Sequence, residues 1–462
     1  METNVIWRNA RAAVIELDDG GYFTCADTWE IFVNDEPAGT TNTVETYVDG
    51  LTPGKRNLVR FVCGERELSV GVTTPAEPFT INVRDCGAKG DAEHDDTTNI
   101  QAAIMACPKG GRVLIPAGSY RIKSLFLKSN INIELAEGAV LLARHDRAAL
   151  AYIPGTVTGN EGAGYAGTDM LPLGRWEGES FSTYCSTFTG LGVHDVCIYG
   201  RGAIDGQTDF AEDNWWNKDF KNIFRPEEGR EVARPRMIFL SECQNVSLAG
   251  FIVRNSPAWN IHPVLCEHVD ALCLSIEGPK NSHNTDGFDP ESCGFVRILG
   301  CQFSVGDDCI AIKSGKLGIE PELRPATHDV LISHCYMHDG HGAVVLGSEA
   351  AGGIKDLTVS KCLFVSAPTA ACASRPAAGA ARMPSTRALP LSTFVWTRYS
   401  RPSWSTPSTS VTRTARPITC SLARRCLSTT ARPALVPRRF AISRPPTAML
   451  PRPISRVCPR AR

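Results

Sequence analysis

Apolar residues recur along the middle of this chain at intervals far longer than a helix turn. Between positions 244 and 364 the repeating strings are Val246-Ser247-Leu248, Val269-Asp270-Ala271-Leu272-Cys273, Val296-Arg297-Ile298-Leu299-Gly300-Cys301, Val330-Leu331-Ile332-Ser333-His334-Cys335 and Leu357-Thr358-Val359-Ser360-Lys361-Cys362. Their leading residues lie 23, 27, 34 and 27 positions apart. Each string alternates as a strand with one buried face does, and each interval fits one coil of a strand-built solenoid with a loop of variable length. Stacked coils would bring equivalent positions within one strand spacing, about 4.8 Å. Inward aliphatic and Cys side chains are then expected to form ladders. The pattern predicts an all-β chain whose main domain is a right-handed parallel β-helix.

The flanks read differently. In residues 1–76, alternating runs such as Trp29-Glu30-Ile31-Phe32-Val33 and Leu58-Val59-Arg60-Phe61-Val62 are separated by turn clusters, which predicts a small β-sandwich. The string Asp49-Gly50-Leu51-Thr52-Pro53-Gly54 resembles the corner before a late strand of fibronectin type III domains, although Asn57 stands where that pattern carries Tyr. The second region, 77–365, opens on Phe79-Thr80-Ile81-Asn82-Val83 and continues into an expected helix over 97–107. A short helix over the first coil is a usual way for a solenoid to protect an open end.

Charge divides the chain in a way its net value of -1 hides. Residues 366–462 carry 17 Arg, no Lys and no acidic residue. Setting those 17 aside leaves 31 basic against 49 acidic side chains in residues 1–365, a net charge of -18 there. Such an acidic body argues against nucleic-acid binding. No apolar run approaches a membrane span, and Met1-Glu2-Thr3-Asn4-Val5-Ile6-Trp7 lacks the pattern of a secretory leader, so a cytoplasmic location is expected. The 18 Cys form no paired motifs of the zinc-binding kind and read as buried free thiols.

The chemistry is concentrated in three strings: Asn284-Thr285-Asp286, Gly306-Asp307-Asp308 and Gly340-His341-Gly342. Asp286 precedes Asp307 by 21 residues and His341 follows Asp308 by 33, each about one coil. All four side chains can therefore stack on one face. Strand alternation would send Asp307 and Asp308 to opposite faces, so Gly306 is expected to permit a bulge or turn. Glycosidic hydrolysis needs a protonated carboxyl at the leaving oxygen and an ionised one to activate water. Crowded carboxylates supply both by driving their proton affinities apart. Taken singly, each string has a plainer meaning as a turn, a calcium loop or a loop residue; it is their joint spacing that favours catalysis. Trp215-Trp216 reads equally as a sugar platform or as packing, and Tyr184 and His262 are given no role.

With Asn255-Ser256-Pro257-Ala258-Trp259 and Gly347-Ser348-Glu349, these strings resemble glycoside hydrolase family 28, the polygalacturonases, over residues 79–365. The resemblance implies a pectin-lyase-like β-helix and metal-independent, inverting hydrolysis of α-1,4-galacturonosyl linkages, with no cofactor and a galacturonate oligo- or polysaccharide as partner. It implies Asp307 as general acid, Asp286 and Asp308 as holders of the attacking water, and His341 as the group that tunes Asp307. Asn284 and Lys313 are candidate substrate ligands. A fibronectin-like domain ahead of the helix, and the long insertion 155–216, are similar to exo-acting members. Calcium-dependent pectate lyase chemistry and non-catalytic pectin binding are the alternatives.

A fourth family string, Arg-x-Lys, is expected after the strand over 357–365 and is absent. The chain turns instead into Ala367-Pro368-Thr369-Ala370-Ala371-Cys372-Ala373-Ser374-Arg375-Pro376, has no Gly after Gly379, and carries 14 Pro from Pro368 to Pro459. Pro at that density forbids most ladder positions. One permitted codon choice for 367–376, read from its third base, gives Thr-Asp-Arg-Gly-Leu-Arg-Ile-Lys-Thr, which contains the missing string. Residues 366–462 are therefore expected to be an out-of-frame, disordered tail on a truncated solenoid of low solubility and activity. A natural basic tail with an acidic partner is the rival.

Overall fold

The computed structural model describes residues 2–158, 170–211, 214–217, 222–225, 230–365 and 370–374. The expectation of a disordered tail over 366–462 falls, apart from 370–374, outside the described residues. Seven antiparallel strands open the chain: β1 (Glu2–Arg8), β2 (Ala13–Asp18), β3 (Thr24–Val33), β4 (Glu36–Thr43), β5 (Glu45–Val48), β6 (Arg56–Cys63) and β7 (Arg66–Thr73). They form a three-stranded sheet, β1-β2-β5, and a four-stranded sheet, β4-β3-β6-β7. Trp29, Ile31, Val59, Phe61 and Val72 are buried between them.

The rest of the described residues form a right-handed parallel β-helix. Its first sheet has nine strands, from Thr80–Asn82 to Leu357–Ser360, and its second has nine, from Asp91–Asp95 to Leu363–Phe364. The residues that lead the sequence repeats stand in register, Val246 beside Val269, Val296, Val330 and Leu357. Five aliphatic side chains on one inward column explain why the pattern was so regular. The helix α1 (Thr97–Ala106) buries Ile100, Ala103 and Ile104 against the first coils, as the cap reading requires.

Buried cysteines occupy successive inward corners, with Cys243, Cys266 and Cys293 in one group and Cys301, Cys335 and Cys362 in another. All are free thiols, and burial with neighbouring thiols drives those of Cys266 and Cys335 well above the ordinary range. Cys273 departs from the expected ladder. It takes a positive φ of 50°, leaves the inward place to Leu274, and lends its Sγ to the Glu45 carbonyl of the sandwich.

The sandwich docks on the outer face of the first sheet, where Ala12, Val14 and Tyr47 pack on Cys197, Tyr199, Ala249, Leu272 and Leu299. The third face is built from Leu125–Phe126, Phe188–Leu191, Ile238–Ser241 and Ile261–Val264, then two isolated bridging residues, Phe288 and Glu291, then Ile310–Ile312, Gly342–Leu346 and Ala370–Ser374. Among the described residues no helix is long and apolar enough to cross a membrane.

Candidate active site

The third face sets the positions of all four predicted catalytic residues. Ile261, Phe288, Ile310 and Val344 occupy successive rungs. Two positions before the last three stand Asp286, Asp308 and Gly342; one residue earlier still, Asp307 matches His341. Backbone bonds fix this register: Gly287 N donates to Asp308 O at 2.9 Å, Cys309 N to Gly342 O at 2.8 Å and His341 N to Asp307 O at 2.9 Å. Carboxylate oxygens of Asp286, Asp307 and Asp308 lie within 4.8 Å of one another. His341 Nδ1 is 3.1 Å from Asp307 Oδ1, which also accepts from Asp308 N at 3.0 Å. The His341 side chain is 54% exposed and that of Asp307 16%, while Asp286 and Asp308 are buried. The cluster is therefore open to solvent on the side of Asp307 and His341.

Gly306 does form the turn that lets Asp307 and Asp308 both reach this corner, but not through a left-handed backbone. A Cβ at Gly306 would lie 2.2 Å from Ser282 O and 2.4 Å from Ser282 Oγ. Its amide donates to Thr285 Oγ1 at 3.1 Å, which ties the Asp286 string to the Asp307 string. Glycine is needed here for close approach. Gly306→Ala is expected to cost about 1–3 kcal/mol by overpacking and to spread the carboxylates; a denaturant midpoint equal to the parent's would contradict this.

Beneath the carboxylates lies a second, buried layer of charge that the sequence reading largely missed. Lys313 Nζ stands 3.1 Å from Glu349 Oε2, 3.6 Å from Asp289 Oδ2 and 3.9 Å from Asp286 Oδ2, and 4.4 Å over the ring of Trp259. Lys313, expected as a substrate ligand, is buried, with its ammonium held among these carboxylates beneath Asp286. Asn284 is half-buried, with Oδ1 accepting from Arg234 Nη2 at 2.9 Å, and stays beside the cluster. Arg175 from the insertion reaches Glu291 at 2.9 Å, and His262 Nε2 lies 3.1 Å from the other Glu291 oxygen. Trp176 stacks on Trp259 at 4.9 Å, closing the layer from outside. Strand alternation could have found this layer, because Phe288 faces the core and so Asp289 and Glu291 face away from their core-facing neighbours. Trp215 and Trp216 prove to be packing: both are buried, Trp215 edge-on to Tyr184 and Trp216 donating to Ser256 O.

Burial, then the neighbouring Asp289 and Asp307, pushes the Asp286 carboxyl well above the ordinary range despite Lys313. Burial does the same to Asp289, and it raises Glu291. Burial also opposes ionisation of Glu349, but Lys313 and Ser348 outweigh it and bring that carboxyl below its usual value. The folded protein thus holds protons on Asp286, Asp289 and Glu291 that the unfolded chain releases above pH 3.8 to 4.5. In that window stability falls as pH rises, by up to about 1.4 kcal/mol per group and pH unit. Glu349 acts oppositely, adding stability above 4.5 that is lost as pH falls through its lower folded value. Melting temperatures are expected to peak in mild acid, and Asp286→Asn to flatten the decline above it. Scans from acid to alkaline pH measure both, and a decline as steep in the variant would contradict the assignment.

A parallel β-helix with three convergent carboxylates and an imidazole on one corner carries the groups that acid–base hydrolysis requires. Residues 156–370 match the model of the glycosyl hydrolases family 28, and residues 80–136 match that of the rhamnogalacturonase A/epimerase, pectate lyase-like family. Residues 156–370 thus carry the sequence of a glycosyl hydrolase family 28 domain. It is 30% identical over 282 residues to a probable polygalacturonase of Vitis vinifera, covering 59% of this chain and 52% of that one. It is 27% identical over 353 residues to an exo-poly-alpha-D-galacturonosidase of Dickeya chrysanthemi, covering 68% and 53%. The chain thus spans about half the length of these relatives. Among solved structures, a Yersinia enterocolitica family 28 exopolygalacturonase superposes with a TM-score of 0.57 at 20% identity, covering 81% of each chain, a likeness of fold. A hyperthermoactive exopolygalacturonase of Thermotoga maritima gives 0.54 at 26% identity, covering 64% of this chain and 68% of the other.

Proposed function

We propose that this solenoid is built to hydrolyse α-1,4-galacturonosyl linkages of pectate or oligogalacturonates by metal-independent acid–base catalysis with inversion. The observation that carries the reading is the convergence of Asp286, Asp307 and Asp308 within 4.8 Å, with His341 on Asp307. Asp307, the carboxyl nearest solvent, protonates the departing oxygen. Asp286 and Asp308 hold the water; Asp286, having released its own proton to solvent, takes one from the attacking water as the hydroxyl adds to the anomeric carbon. Lys313 favours that ionised state from below. A lysine under Asp286 also weighs against a divalent cation among the three carboxylates, and so against calcium-dependent elimination. Exo action is the preferred mode, supported by the names of the Dickeya and Thermotoga proteins and by the insertion packed against the site; endo-polygalacturonases of Pectobacterium also resemble the chain.

The domain reading is a fibronectin type III-like sandwich over 1–76, a catalytic solenoid over 77–365 and an out-of-frame tail over 366–462. The strand orders β1-β2-β5 and β4-β3-β6-β7 support the first. For the last, strand Ala370–Ser374 pairs with Gly342–Leu346, Gly342 facing Ala370 and Leu346 facing Ser374. In the alternative frame the Arg-x-Lys string falls on this strand, one rung beyond His341, where two cations would meet a galacturonate carboxylate. Sequencing the coding DNA across 364–369 checks this, and an uninterrupted frame there removes it. Restoring the frame is expected to raise turnover by on the order of 10²–10³, the range for adding a charge-stabilising donor to a site.

The reaction itself is tested with the frame-restored chain on tri- and polygalacturonate. New reducing ends without ultraviolet-absorbing products, in chelator, are expected, and the first-formed product should be the β-anomer by proton NMR. Unsaturated, calcium-dependent products or an α-anomer would overturn the proposal, and binding without cleavage would leave a pectin-binding protein.

A further inference from the structure

A second constellation lies away from the carboxylate corner, where the sandwich meets the first sheet of the solenoid. Glu16 of β2 and Glu45 of β5 are paired directly across the strands, and His334 closes the coil that follows His328–Ser333. We propose that Glu16, Glu45 and His334 form a site for a divalent transition-metal ion of the zinc class, which staples the sandwich to the solenoid.

The distances suit one ion. A ligand atom from each of the three residues lies within 4.8 Å of the other two, and His334 Nδ1 is 3.3 Å from Glu45 Oε1. Two ligands on one tetrahedral zinc, each bonded at about 2.0–2.2 Å, are separated by about 3.4 Å. The imidazole–carboxylate edge therefore already has the separation a shared ion imposes, and Glu16 stands within 4.8 Å of both.

The polar groups are short of partners. Glu45 and His334 are 4% and 3% exposed, and Glu45 Oε2 is buried with no hydrogen-bond partner. A buried carboxylate oxygen left unpaired costs free energy, and like charges facing each other across a strand pair add to it. The cations around the cluster are engaged elsewhere: Lys361 with Asp18 at 3.3 Å, Arg297 with Asp270 and Arg201 with Asp49. Ser333 Oγ, 3.2 Å from His334 Nδ1 and 3.1 Å from Ser360 Oγ, is the remaining polar neighbour. An ion bound by one nitrogen and two carboxylates balances the two negative charges.

The choice among ions follows from the donors. One imidazole with two carboxylates is a set zinc accepts in four-coordinate sites, whereas calcium and magnesium prefer oxygen alone. The backbone is also cleared for close docking. A Cβ at Gly300 would lie 2.5 Å from Glu45 Cβ, and one at Gly250 2.8 Å from the Tyr47 ring. Glu45 is thereby pressed against the coil corner that carries His334. An ion held there joins residues 289 positions apart in sequence, Glu45 and His334.

The test uses the full chain, stripped with chelator and titrated with zinc by calorimetry, and in parallel with cobalt(II), whose visible d–d bands report tetrahedral nitrogen–oxygen ligation. One tight site is expected, with cobalt bands present and a higher melting temperature when zinc is added. Glu16→Gln, a half-exposed and nearly isosteric change, is expected to weaken zinc at least tenfold and to alter the cobalt spectrum. His334→Gln should abolish the bands. The proposal is overturned if no zinc binds, or if zinc binds equally to both variants, which would place it on thiols or on the catalytic carboxylates. It is likewise overturned if mild acid alone, without metal, stabilises the sandwich–solenoid junction as zinc was expected to, since a proton then fills the role.

Discussion

Asp307→Asn in the frame-restored chain is expected to lower kcat on polygalacturonate by about 10²–10⁴-fold, the range for losing a positioned general acid. KM should change little, because the loss falls on the transition state and not on ground-state binding. Asp307 is the carboxyl that combines exposure with a direct imidazole partner, His341 at 3.1 Å. Its side chain is not part of the buried charge layer, so the melting temperature should move by no more than a degree or two. A variant that keeps more than a tenth of parental kcat would transfer the acid role to a neighbour. Asp286 would be the first candidate, since burial and its acidic neighbours already favour its protonated form.

Lys313→Met is expected to have the largest effect on stability. The ammonium sits among Glu349, Asp289 and Asp286 with all four groups buried. Removing one partner of a buried ion pair leaves uncompensated charge and typically costs about 3–5 kcal/mol. The cost here should be greatest above neutral pH, where Glu349 has no proton to take up. Lys313→Met with Glu349→Gln should recover part of it, because the pair then leaves together. Denaturant unfolding at two pH values measures both, and a loss below about 1 kcal/mol would mean that water reaches the cluster and screens it.

The sequence was legible wherever one rule acted repeatedly. Val246, Val269, Val296, Val330 and Leu357 obey period-two alternation and inward burial at once, so the solenoid could be read from spacing alone. Asp286, Asp307, Asp308 and His341 were legible because each stands next to a glycine or another acid in a short polar string. The burial of Lys313 was illegible for the opposite reason. It closes the apolar strand Ile310–Ile312, and only the rung partner Glu291 and the folded-over Glu349 show that its charge is consumed inside. The turn at Gly306 was legible but its cause was not, since steric crowding from Ser282 depends on a neighbouring coil that linear spacing does not reveal. Trp215 and Trp216 could not be decided until the insertion's packing was known.

Because Asp307 and His341 are held by a backbone hydrogen bond between adjacent rungs, their separation does not depend on how much chain lies between them. The loop that makes one coil 34 residues long leaves after Lys313 and rejoins the first sheet at His328 without disturbing that spacing. Lengthening or exchanging such loops can therefore recut the surroundings of the cleft while the reacting groups stay fixed. A scaffold of this kind keeps the Asp307–His341 contact in place while the loops around it differ in length.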